Sequence, residues 1–283
     1  MSTDKRATHP LINRITLVFD FDDTLAPATT EKVFEAYDLD YDGFRQNLSD
    51  MMDDGWDYAL AKAELFRRLG IDITEERLRQ VGDGYELFPE AETMVQRLRD
   101  FAADLDEGIE LEFILLTAGF LTIPRASQIG EQFDRLYGGE LHFDADDGHV
   151  ICAKRIITHV DKVHYLNHIA KGTPLERQDM LEESYLDIDP ADYRVPFGQL
   201  IYVGDGASDL SAFQEVERKG GIAIGIELDE GNWDQYDQVA PQRRVHNLVQ
   251  ADYADDSELM RSLKLALRSM IAEVGLIRLS RGE

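Results

Sequence analysis

The sequence predicts an α/β fold, with a parallel sheet at its centre and a block of helices set in after the first strand. Three observations carry this. Four short apolar runs show no polar alternation, the mark of strands buried on both faces. Helical spacing occupies much of the chain between them, the alternation from which parallel sheets are built. Residues 27–88 depart from that alternation and hold helical spacing only.

The first run, Ile15-Thr16-Leu17-Val18-Phe19, stops abruptly at Asp20-Phe21-Asp22-Asp23-Thr24. Next come Glu31–Tyr37, Tyr41–Met52, Trp56–Leu69 and Glu75–Val81, all with helix-like spacing, which reads as a small helical domain. Gly82-Asp83-Gly84 and Pro89 are the expected return hinge. The division is therefore residues 1–26 and 89–283 as the α/β core and 27–88 as the insertion. Glu90–Phe101 puts Ala91, Val95 and Leu98 on one helical face. The second run, Leu111–Leu116, ends in Thr117-Ala118-Gly119. Leu141–Phe143 and Val150–Ala153 flank Asp146-Asp147-Gly148 and predict a β-hairpin. Residues 172–198 are acidic and contain Pro174, Pro190 and Pro196, as expected of an irregular surface insertion. The third run, Leu200–Val203, ends in Gly204-Asp205-Gly206, and Asp209–Val216 is the next helix. The fourth, Gly221–Ile226, leads into an acidic loop, and Ser257–Val274 closes the pattern as a helix.

A chain of 283 residues fits one large domain or two modest ones. Its 56 acidic and 29 basic residues give a net charge of −27. That charge repels nucleic-acid backbones and anionic membrane surfaces, so neither is an expected partner. No apolar run approaches the roughly 18 residues of a membrane span. The opening MSTDKRATHP has no apolar stretch of the secretory kind, so a cytoplasmic location is expected. The single cysteine, Cys152, excludes an intrachain disulfide and a four-cysteine zinc site. It lies in an apolar stretch and is expected to be a small buried hydrophobe.

Asp-x-Asp spacing by itself carries no information here, because it recurs at Asp38/Asp40, Asp40/Asp42, Asp104/Asp106, Asp144/Asp146 and Asp187/Asp189. Asp20 and Asp22 differ by context. They sit where a buried strand ends, and ligand sites in open α/β sheets lie outside the carboxyl ends of strands. Three of the four runs end in small polar turns, DFDDT, TAG and GDGASD. Together these turns offer carboxylates, a hydroxyl and glycine-freed backbone amides.

This set resembles the haloacid dehalogenase (HAD) superfamily, in its phosphatase branch. Asp20, Asp22 and Thr24 match the first motif, DxDxT after an apolar strand. Thr117 matches the second, and Gly204, Asp205, Gly206 and Asp209 match the fourth, GDGxxD. The insertion resembles the C1-type helical cap of phosphoserine phosphatase-like members, on a Rossmann-like core. The resemblance spans residues 15 to 225. The third motif is a lysine at the start of a helix. Lys162, followed by Val163, Leu166 and Ile169, fits it better than Lys154 does.

The resemblance implies a phosphomonoester hydrolase acting on a small phosphorylated substrate. Asp20 would be the nucleophile, forming an aspartyl-phosphate. Asp22 would be the general acid and base. Thr117 and Lys162 would bind the phosphoryl oxygens. Magnesium is the implied cofactor, held by the Asp20 side chain, the Asp22 backbone carbonyl and Asp205. Asp209 would support the metal or pair with Lys162. A phosphotransferase or mutase of the same superfamily, and a non-catalytic phosphate-binding protein, are the alternatives. Asp22 argues against dehalogenation, since a leaving halide needs no proton. His164 and His168 are read as surface or packing residues. Phe44, Arg45, Trp56 and Tyr58 lie in the insertion, where they could face the substrate, but aromatics at helical spacing are more often core, and Phe44, Trp56 and Tyr58 are read so.

Overall fold

The computed structural model of the chain describes residues 13–173, 188–189, 192–227 and 245–282. The insertion expected at 172–198 and the acidic loop after Ile226 fall largely outside them. Seven strands form one sheet: β1 Arg14–Phe19, β2 Glu110–Phe120, β3 Arg135–Phe143, β4 Val150–Arg155, β5 Leu200–Gly204, β6 Ile222–Ile226 and β7 Asn247–Val249. Their order is β4-β3-β2-β1-β5-β6-β7. All neighbours are parallel except β3 and β4, which form the antiparallel hairpin.

Alternate residues of the central strands serve two apolar layers. Leu17, Phe19, Phe113, Leu115, Ile201 and Val203 pack on one face. There they meet α5, Ala91–Leu105, and α10, Glu258–Arg281. Val18, Ile114, Leu116 and Tyr202 pack on the other, against α8, Asp161–Lys171, and α9, Leu210–Arg218. This burial on both faces is why the strands read as continuous apolar runs.

Four helices fill the stretch after β1: α1 Thr29–Ala36, α2 Tyr41–Asp53, α3 Tyr58–Leu69 and α4 Glu75–Asp83. Asp40, Asp57 and Thr74 cap the last three through side-chain oxygens. Phe34, Phe44 and Phe66 form their aromatic centre, with centroids 4.6 and 5.8 Å apart along the chain of contacts. Phe66 in turn lies 6.2 Å from Phe120 of β2, so the apolar cluster runs from the helices into the sheet layer. The entering and leaving strands of the chain are tied together. Phe88 N–H donates to the Leu25 carbonyl at 2.9 Å, and Tyr85 OH donates to the Pro27 carbonyl at 2.8 Å.

Several details differ from expectation. Gly82 and Asp83 belong to the last turn of α4 and are not a free hinge. A Cβ on Gly82 would stand 2.6 Å from Ala126 Cβ and 2.7 Å from the Ile123 carbonyl. The glycine is there to let α4 approach the short helix α6, Thr122–Ala126. Beyond it lies the equally short α7, Gln128–Gln132. Strand β2 continues past Thr117 through a register shift and pairs again at Phe120 with Gly139. Cys152 is exposed, because β4 is an edge strand with one face in solvent. Phe44 is buried as expected, but Trp56 and Tyr58 lie exposed at the start of α3. No helix among the described residues is long and apolar enough to cross a membrane.

Candidate active site

The chain leaves β1, builds β2 and β3 on one side, then returns to place β5 on the other. The carboxyl ends of β1 and β5 therefore flank the point where strand order reverses, where open α/β sheets bind ligands. Asp20 follows β1 directly, and its N–H donates to the Val203 carbonyl of β5 at 2.9 Å. The residue is 4% exposed. Phe21 N–H donates to Asp20 Oδ1 at 2.7 Å, and Lys162 Nζ donates to Oδ2 at 2.7 Å. One turn of chain closes behind it, with Thr24, Leu25 and Ala26 N–H groups all directed at the Phe21 carbonyl.

Lys162 is the second residue of α8. The helix start is fixed by a reciprocal pair: Thr158 N–H and hydroxyl donate to Asp161 Oδ2, and Asp161 N–H donates to Thr158 Oγ1. From there Lys162 reaches inward, fully buried, and bridges Asp20 and Asp209 Oδ1, the latter at 2.6 Å. Lys154 instead lies on the hairpin surface, 3.4 Å from Glu140. Asp209 has both oxygens occupied. Oδ1 accepts from Lys162 and from Tyr202 OH at 2.5 Å, and Oδ2 accepts from Asp205 N–H at 3.1 Å. Gly204 makes room for it, because a Cβ there would stand 2.3 Å from Asp209 Oδ2.

Asp20, Asp205 and Asp209 offer carboxylate oxygens that all lie within 4.8 Å of one another. With only Lys162 bridging them, the cluster carries excess negative charge. Burial, with Asp209 beside it and Lys162 opposing, pushes the Asp20 carboxyl up to about 6. Burial and the neighbouring Asp209 and Asp20 push Asp205 well above the usual carboxylate range. Burial works against the charge on Lys162, but Asp20 and Asp209 outweigh it and hold the ammonium above its ordinary value. An all-oxygen donor set of this kind suits a hard divalent cation. Lys162 bonds both Asp20 and Asp209, and the oxygens of Asp20, Asp205 and Asp209 together are the donor set that such a cation would meet.

Asp22 is turned toward the helical insertion. Thr29, the first residue of α1, donates to Asp22 Oδ1 from its N–H at 2.8 Å and to Oδ2 from its hydroxyl at 3.3 Å. Thr117 is 1% exposed, and its Oγ1 accepts from Gly119 N–H at 2.9 Å. Gly119 stands between the two, since a Cβ on it would lie 2.9 Å from Asp22 Oδ2 and 3.2 Å from Thr117 Oγ1. Tyr202, Thr29 and Ser208 were not anticipated from the sequence. Ser208 Oγ stands 3.5 Å from Asp20 Oδ2. Tyr202 carried a signal that was available: a tyrosine in a fully buried strand needs a partner for its hydroxyl.

No family model and no curated protein matches the chain. Solved structures match in fold. A probable phosphoserine phosphatase from Vibrio cholerae gives a TM-score of 0.58 at 14% identity, over 94% of this chain and 68% of that one. A substrate-bound phosphoserine phosphatase gives 0.55 at 14% identity, over 89% and 98%. A cytosolic 5'-nucleotidase IIIB bound to cytidine gives 0.51 at 15% identity, over 94% and 88%. A HAD family hydrolase from Salmonella enterica serovar Typhi is similar in the same way, with a TM-score of 0.56. The chain thus shares the α/β fold of HAD-type hydrolases.

Proposed function

We propose that the protein is a magnesium-dependent phosphomonoester hydrolase that works through an aspartyl-phosphate on Asp20. The observation that carries this reading is the buried Asp20 carboxylate, fixed by Lys162 at the end of β1, with Asp205 beside it in a cluster short of positive charge. Such a cluster is suited to a phosphoryl group only with a divalent cation present. Magnesium held by Asp20, Asp205 and the Asp22 carbonyl would supply that neutralisation. The phosphatases that share the fold support the same chemistry.

Asp20 attacks the phosphorus in line and the ester oxygen leaves. Lys162 offsets charge on the equatorial oxygens. Thr117 and the amides that follow it contact the same oxygens. Asp22 protonates the departing alkoxide, then takes a proton from the water that cleaves the aspartyl-phosphate. The insertion at 27–88 acts as a cap, and the paired segments at Leu25–Pro27 and Tyr85–Phe88 are its hinge.

The test is release of p-nitrophenol from p-nitrophenyl phosphate. Release requires magnesium, stops with excess chelator and is inhibited by calcium, whose longer bonds and higher ligand number let both Asp20 oxygens bind metal. Full activity in chelator contradicts the reading.

Asp22→Asn separates leaving groups. An alkoxide needs the proton and p-nitrophenolate needs it far less, so alkyl phosphates lose about 10²–10⁴-fold. The aryl ester retains a burst of product before slow turnover. Equal losses without a burst place the acid elsewhere.

Gly119→Ala pushes the Asp22 carboxylate off its Thr29 tether. Displacement of a catalytic group by about 1 Å costs about 10²-fold in rate. The melting temperature stays near that of wild type. Unchanged kcat on alkyl phosphates would show that the close approach is tolerated.

A further inference from the structure

Helix α10 has two apolar faces, and the fold uses one of them. Leu263, Leu267, Met270 and Ile271 are buried in the layer over the sheet. The opposite face carries Leu265, Ser269, Ala272, Leu276 and Leu279, all exposed and alternately four and three residues apart. That spacing is the seam of a two-stranded coiled coil. Leu265, Leu276 and Leu279 are 63%, 67% and 74% exposed, three of the four most exposed large apolar side chains among the described residues. A single surface leucine needs no explanation, but a row of them on one helix face does.

Charge says what covers the row. Arg268 and Glu273 flank the seam on opposite sides, five residues apart. Among the described residues neither makes an ion pair within the chain, and Arg268 lies only over the Phe101 ring at 5.7 Å. In a parallel pair of α10 helices, Arg268 of one copy faces Glu273 of the other, twice by symmetry. An antiparallel pair sets neither against an opposite charge. The helix itself holds five basic and two acidic residues in a chain of net charge −27, so it is where two such chains escape their acidic surfaces. Gly275 adds a steric observation. Glycine is unfavourable inside a helix, and a Cβ there would meet no atom within 4 Å, so the chain's own packing does not require it. It stands beside Ala272 and Leu276, where a second helix would approach.

We infer that the exposed face of α10 docks a second copy of this chain, with the two helices parallel and in register about a two-fold axis along the seam. Leu265 packs on its counterpart at one end of the seam, and Leu276 and Leu279 on theirs at the other. Ser269, Ala272 and Gly275 let the backbones come close between them. The Arg268–Glu273 pairs on either side fix the orientation. The seam is short, so the dimer forms in the micromolar range and is not obligate. The inference is independent of the phosphatase reading, because no residue of the seam belongs to the site around Asp20.

The experiment is sedimentation of the full chain over a range of protein concentrations. It is run in about 0.5 M salt, where the screening length falls between about 8 and about 3 Å, so that repulsion between the acidic bodies is damped and contact pairs survive. Wild type passes from monomer to dimer as concentration rises. Leu276→Glu weakens the dimer by about 10²-fold or more, since each dimer loses two buried leucines and gains two charges in their place. Arg268→Glu and Glu273→Arg each weaken it about tenfold, because both facing pairs become like-charged. Mixed in equal amounts, these two variants associate as tightly as wild type, since every facing pair is again opposite in sign. Melting temperatures of the dilute, monomeric variants stay near that of wild type, because the changed side chains point away from the core. Should Leu276→Glu melt lower, Leu279→Lys repeats the test at the most exposed position. A wild-type chain that stays monomeric at every concentration overturns the inference. So does a dimer that the leucine variants leave intact. A dimer that they abolish but that the mixture fails to restore overturns the parallel pairing.

Discussion

Asp20→Asn is expected to lower phosphate release from every ester by roughly 10⁴-fold or more while the protein remains folded. An amide is a poor nucleophile and brings no charge to a metal. Its oxygen can still accept the hydrogen bonds that Lys162 and Phe21 N–H give to the carboxylate. The variant also has a stability signature. Burial, with Asp209 nearby, raises the Asp20 carboxyl from 3.8 to about 6 in the folded chain. The folded state therefore binds this proton more tightly than the unfolded state does. Between those two values, the stability of the metal-free protein falls as pH rises. Asparagine has no such proton, so the variant falls less steeply over that window, and metal addition above it stabilises wild type more than the variant. Paired melts across acid to neutral pH, with and without magnesium, measure both effects. Turnover close to wild type would remove Asp20 from the nucleophile role.

Why this much of the site was legible in the sequence follows from how the sheet is buried. Ile15–Phe19 and Leu200–Val203 are covered on both faces, so each reads as a continuous apolar run with an abrupt polar end. Those ends place Asp20 and Asp205 side by side because β1 and β5 are neighbours in register, with Phe19 opposite Val203. Spacing could not reveal β7, which has three residues at the sheet edge, or the five-residue helices α6 and α7. Periodicity needs longer segments than these. The first half of β3, Arg135-Leu136-Tyr137-Gly138-Gly139, hides its pairing with β2 behind an arginine and two glycines. Helix α10 runs on to Arg281, beyond the Val274 end that the pattern predicted, because the single Gly275 is tolerated in the helix interior and the left-handed Gly282 ends it.

Side-chain partners were harder to read than strand ends. The pattern left Asp209 either a metal ligand or the partner of Lys162, and only the close approach at Gly204 shows how it is oriented. The tie from Asp22 to Thr29 joins the proposed acid to the helical insertion, and no motif spans that separation.

Lys162→Met is expected to be the most destabilising single change at the site, costing about 3–5 kcal/mol at neutral pH, the cost of breaking a buried pair by removing one partner. The lysine is fully buried and holds two carboxylates that are themselves buried. Methionine fills most of its volume, so the loss is electrostatic and not a cavity. Asp20, Asp205 and Asp209 would then face one another with no fixed cation between them. Protonation relieves that repulsion, so the deficit relative to wild type shrinks as pH falls and the carboxyls become neutral. Magnesium restores part of it through Asp20 and Asp205, but not the hydrogen bonds lost by Asp209. Turnover stays low with magnesium present, because the equatorial oxygens still lack their charge partner. Asp209→Asn is the milder companion. It leaves Lys162 bonded to Asp20 and keeps an acceptor for Tyr202, so it loses less stability and some of the lysine's alignment. Urea unfolding of the three proteins across pH gives the comparison. A Lys162→Met chain as stable as wild type at neutral pH would mean that the carboxylates share their own protons and the lysine does not balance the cluster.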